Sequence, residues 1–79
     1  MDSKIIGDRL RALMQIRHVR RIDLAEELGM SYNTLTQKLI GRREFGLNDM
    51  LKIKDVFDLD NELCAAIFFD EDFLLSKLE

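Results

Sequence analysis

From residue 24 the chain reads Leu24-Ala25-Glu26-Glu27-Leu28-Gly29-Met30-Ser31, followed by Leu35 and Leu39, a spacing that few arrangements can satisfy. Leu24, Ala25 and Leu28 recur at helical intervals and stop at Gly29, the residue that most readily takes the left-handed turn ending a helix. Ser31 can cap a new helix at once, because its hydroxyl accepts a backbone N–H two or three residues on. Ala25 is small enough to let another helix approach, Met30 fills the angle between two helices, and Leu35 packs the second onto the first. The pattern predicts short helices over about 21–28 and from Ser31 to Gly41, meeting steeply through a turn of about three or four residues. Held that way, the second helix projects its N-terminal end from the body.

The rest of the chain is punctuated in the same manner. Proline is absent, and the four glycines stand at Gly7, Gly29, Gly41 and Gly46. Ile6, Leu10, Leu13 and Met14 lie on one face of a first helix, about 3–17, capped by Ser3 or Asp2. Arg42 to Gly46 reads as a polar loop anchored by Phe45. Leu47, Met50, Leu51, Ile53 and Phe57 mark a fourth helix, about 47–57. Asp60 or Asn61 caps a fifth, which runs through Phe68 and carries Leu63, Ala66 and Ile67. No stretch alternates polar and apolar residues long enough for a strand, so the fold class is all-α. With 79 residues, 47% of them hydrophobic, the chain suits one compact domain. Cys64, the single cysteine, cannot form an internal disulfide and fits a small apolar core position in a reducing cytoplasm. The longest apolar run, Cys64 to Phe69, is too short to span a membrane, and Met1–Ile6 lacks a secretory pattern.

Leu24-Ala25-Glu26-Glu27-Leu28-Gly29-Met30-Ser31, the loop Ile40-Gly41-Arg42-Arg43, and Leu47–Phe57 together resemble the phage repressor/Cro-type helix-turn-helix family of bacterial and phage regulators. The resemblance covers about residues 5–69. It implies a five-helix Cro/C1-repressor-like DNA-binding domain over residues 1–69, with the helix-turn-helix at about 21–40. It also implies operator binding and transcription regulation in a phage or prophage setting, as a symmetric dimer on two half-sites. By position, the base-reading residues are Ser31, Tyr32, Asn33 and Gln37. Their chemistry agrees: Asn and Gln bond bidentately to adenine, and a ring can meet the thymine methyl. Arg21, Lys38, Arg42 and Arg43 flank that helix as phosphate contacts, with Arg11 and Arg17 as further candidates. The alternative is that these side chains are a solvated polar helix surface and nothing more.

The net charge of −3 looks unsuited to a nucleic-acid partner, but it conceals a division. Residues 1–46 hold 9 Lys/Arg against 6 Asp/Glu, and residues 47–79 hold 3 against 9. A basic face turned to an anion and an acidic face turned away fit that asymmetry. The rival function is a protein-interaction module, an antitoxin or antirepressor whose acidic C-terminal half docks on a partner. Residues 70–79 form an extension in which a short sixth helix near 71–78 would align Phe69 with Phe73 and Leu74 with Leu78. That stripe either makes a homodimer contact or folds back on the monomer. His18 and Cys64 are single, no metal-ligand spacing or glycine-rich phosphate loop occurs, and Glu26-Glu27 and Asp70-Glu71-Asp72 read as solvated faces. No catalytic role and no cofactor is expected.

Overall fold

The computed structural model describes residues 2–78. Five helices follow one another: α1 (Ser3–Arg17), α2 (Arg21–Leu28), α3 (Tyr32–Leu39), α4 (Leu47–Val56) and α5 (Asn61–Phe69). A 3₁₀ turn, Leu75–Leu78, closes the chain, and no strand occurs among the described residues. The body measures 30 × 23 × 20 Å. None of its helices is long and apolar enough to cross a membrane.

Local chemistry explains where these helices begin and end. Asp2, Ser31 and Asp60 accept backbone N–H groups of the first turns of α1, α3 and α5, satisfying donors that a helix leaves open. Four of the ends share one device. His18, Gly29, Gly41 and Asp58 all take positive φ, at 57°, 68°, 86° and 50°. The next N–H then reaches back to close the turn: Val19 to Met14 O, Met30 to Ala25 O, Arg42 to Gln37 O and Leu59 to Lys54 O, at 2.9–3.0 Å.

The apolar stripes converge on one core. Ile6, Leu10, Leu13 and Met14 of α1 are buried against Leu24, Leu28, Leu35 and Leu39. Phe45 and Phe68 meet edge to face with ring centroids 6.3 Å apart. On α4 the inner stripe is Ile53 with Phe57, while Leu47 and Leu51 stand 70% and 53% exposed. They share the outer face one turn apart, so apolar character alone misplaces them. The helix stops at Val56 with Phe57 as its cap.

The C-terminal segment departs most from expectation. No helix forms over residues 71–74: Asp70 is extended (ψ 110°), and its carboxylate takes the Asp72 N–H at 2.9 Å. A local side-chain turn of this kind competes with helix continuation. The expected Phe69–Phe73 and Leu74–Leu78 stripe therefore does not form. Phe73 and Leu78 are buried in the monomer core, whereas Phe69 and Leu74 face solvent. What holds the segment is Arg9, 4% exposed. It donates to the carbonyls of Ala66 (3.2 Å), Ile67 (2.9 Å) and Glu71 (3.5 Å), with its guanidinium 5.1 Å from the Phe73 ring centroid.

Gly7 decides how α1 and α3 approach. A Cβ built on it would lie 1.9 Å from the Leu39 carbonyl oxygen, a backbone atom no rotamer can move. Alanine normally favours a helix interior over glycine by about 1 kcal/mol. Gly7→Ala should reverse that sign and destabilise the fold by about 2–3 kcal/mol, because α3 must shift bodily. Urea unfolding measures it; a neutral or stabilising result would mean the two helices sit farther apart.

Candidate functional site

Residues 31–43 make the surface singled out by the sequence. Ser31 Oγ accepts the Thr34 N–H at 3.0 Å and donates to Thr34 Oγ1 at 2.9 Å, so the start of α3 is pinned. Tyr32 and Asn33 on its first turn are exposed, and Gln37, one turn further along the Asn33 face, is half-buried. The Asn33 and Gln37 amides thus share one open side of a short, capped helix.

Arg21 reaches this helix from the start of α2. Its guanidinium stands 5.8 Å from the Tyr32 ring centroid, and Nη1 lies 3.4 Å from Thr36 Oγ1. Tyr32 and Thr36 are one turn apart, so a single cation braces both and joins the two helices through their solvent-facing side. Arg21 is half-buried as a result. The sequence marks Arg21 as a cation near α3; only the structure makes it a brace for the tyrosine.

Arg42 and Arg43 are exposed, and neither forms an ion pair among the described residues. Their backbone N–H groups bond to the Gln37 carbonyl at 2.9 and 3.3 Å. The left-handed turn at Gly41 therefore fixes both arginines relative to the helix that carries Asn33 and Gln37.

Lys38 does not belong with them. Its ammonium pairs with Asp49 of α4, and its side chain is 14% exposed. A lysine held this way ties α3 to α4, and its charge is already paired, unlike those of the two arginines with which the sequence groups it. The signal was faint: Asp49 stands three residues after Gly46, where its carboxylate also accepts the Gly46 N–H at 2.9 Å. Arg11 is likewise paired with Asp8, and Arg17 donates to the Phe57 carbonyl at 3.1 Å. Arg20, next to Arg21 in the chain, pairs with Asp23 at 2.8 Å.

Among the described residues no group of three His, Cys, Asp or Glu side chains could hold a metal ion. Partial burial pushes the Cys64 thiol up from its ordinary range, with Lys54 opposing, and a thiol so shifted is a poor nucleophile. Comparison with protein-family models, curated proteins and solved structures gives no match to this chain.

The Lys38–Asp49 tie carries a pH signature. Burial opposes ionisation of Asp49, but the Lys38 hydrogen bond, the Gly46 N–H and the charges of Lys38 and Lys52 outweigh it. Its pKa falls below the ordinary carboxylate range. A carboxylate with a lowered folded-state pKa stabilises the fold above its unfolded value, about 3.9, and that stabilisation vanishes as pH falls through the folded value. Asp49→Asn should therefore cost about 1–2 kcal/mol near neutral pH. Its melting temperature should also fall less steeply than the parent's below about pH 4. Parallel acid limbs for the two proteins would remove Asp49 from the titration.

Proposed function

We propose that this chain is a sequence-specific double-stranded DNA-binding domain of the phage repressor/Cro type. In this reading α2 and α3 form the helix-turn-helix, and α3 enters the major groove. One observation carries it: α3 starts at a capped turn on which Tyr32 and Asn33 are exposed, and two arginines outside any ion pair among the described residues are anchored to the carbonyl of Gln37 at its other end. Asn33 and Gln37 read adenine edges, Tyr32 meets an apolar base edge, and the Ser31 hydroxyl lies within reach of base or phosphate. Arg42 and Arg43 contact phosphates. Arg21 holds Tyr32 and faces the same backbone. The protein acts as a transcriptional regulator in a cytoplasm, and two copies occupy two half-sites, since one small domain offers limited contact area.

Selection from a random duplex pool tests the class directly: enrichment of a defined motif supports it, and an unenriched pool overturns it. On the selected site, Arg42→Ala with Arg43→Ala should weaken specific and random duplexes alike. The double variant should also flatten the salt dependence by about 0.9 in log–log slope for each phosphate it no longer neutralises. An unchanged slope would remove both arginines from the backbone.

Asn33→Ala and Gln37→Ala should each cost about 1–3 kcal/mol on the selected site and far less on random DNA. Equal losses on both, at unchanged melting temperature, would leave the two amides as solvated surface.

A further inference from the structure

We propose that the groove along the outer face of α5 is a docking site for a cationic amphipathic helix of a protein partner. It is independent of the DNA reading. The groove measures about 500 Å³ and has an apolar floor of Leu63, Ala66 and Phe73, with Phe69 as its wall. Phe69 is 69% exposed, and it differs from the other open apolar side chains of the body in standing beside an apolar floor with a carboxylate rim. Ala65 and Ala66 at the centre of α5 carry single methyl groups, so a second helix can cross close to the backbone there.

The rim supplies the choice of partner. Asp60, Glu62 and Asp70 border the apolar floor, and none forms an ion pair among the described residues. Among the described residues, Lys77 is the only cation lining the groove. Three carboxylates around an apolar floor favour a segment with Leu-like side chains on one face and Lys or Arg beside them. An acidic helix would meet like charge along this rim, and an uncharged one would gain nothing from it. A second copy of this chain is a poorer occupant, because its own α5 face would bring like charges together.

The test uses the full chain labelled with ¹⁵N and a synthetic peptide of about 14 residues, with leucine at helical spacing and flanking lysines. Two controls replace its lysines by glutamate or its leucines by alanine. Amides of residues 62–73 should shift only with the parent peptide. Glu62→Gln and Phe69→Ser, both at exposed positions, should each weaken binding about ten-fold while leaving the melting curve unchanged. Added salt should weaken it further. Shifts confined to other surfaces, equal binding of the alanine control, or no shift at millimolar peptide would each overturn the proposal. So would self-association in sedimentation that Phe69→Ser abolishes, since the groove would then belong to a second copy.

Discussion

The fold depends on one place where backbone meets backbone. The end of α3 lies directly on the first turns of α1, with the Leu39 carbonyl against Gly7 and Gly41 against Lys4. Side chains ordinarily keep helix axes about 8–10 Å apart, and here a missing Cβ on each side removes that spacer. The consequence is rigidity of position. A helix held by long side chains can slide as rotamers change, whereas one seated on a neighbouring backbone has a single register. Because Gly41 also turns the chain into Arg42 and Arg43, the contact that seats α3 on the core sets where both arginines emerge.

Helix ends show what could be read from residues and what could not. Gly29 and Gly41 announce left-handed turns because glycine pays no Cβ penalty there. His18 and Asp58 adopt the same geometry without announcing it, since an L-residue with positive φ is uncommon. The boundaries of α1 were legible anyway, because the stripe of Ile6, Leu10, Leu13 and Met14 runs out before His18. Arg9 is the instructive miss. It stands within that stripe, three residues after Ile6 and next to Leu10, and a charge on an apolar face is a signal that it meets polar atoms inside. Its partners are carbonyls at the end of α5 and in the tail, some 57 to 62 residues away in sequence, which no local pattern encodes.

The candidate site was legible as a list of residues and not as a set of couplings. Ser31, Tyr32 and Asn33 follow from the cap and the helix it starts. That Lys38 is tied to Asp49 while Arg42 and Arg43 are not depends on how α4 lies beside α3. The difference matters more than the number of cations. An exposed pair such as Arg20–Asp23 contributes little to stability, and it also lowers the charge that side of the molecule offers an anion. Removing the paired cations leaves a smaller basic surface than the excess over residues 1–46 suggests, concentrated at Arg42 and Arg43 with Arg21 held over Tyr32. A field this local is felt within about 10 Å at ordinary salt, which makes placement on the α3 flank the relevant quantity and the total of −3 largely irrelevant.

The tail follows from the same reasoning about carbonyls. A helix leaves its last carbonyl groups without partners, and in the last turn of α5 Ile67 and Phe68 are buried, so the carbonyls on that inner side need donors from the protein. Arg9 supplies donors to Ala66 and Ile67, and the same guanidinium stacks on Phe73 and reaches Glu71. Satisfying the end of α5 thus brings the chain after it back over α1, and Phe73 and Leu78 enter the core as a consequence. Had residues 70–78 continued as a helix, Phe73 would have stayed in line with exposed Phe69, and the Arg9 guanidinium would have had neither its aromatic face nor the Glu71 carbonyl. Asp70 enforces the other outcome, because its carboxylate bonds the Asp72 N–H and turns the chain at that point. A buried arginine and a turn-forming aspartate, each unremarkable alone, together convert what reads as an amphipathic stripe into a closing strap and leave the outer face of α5 open.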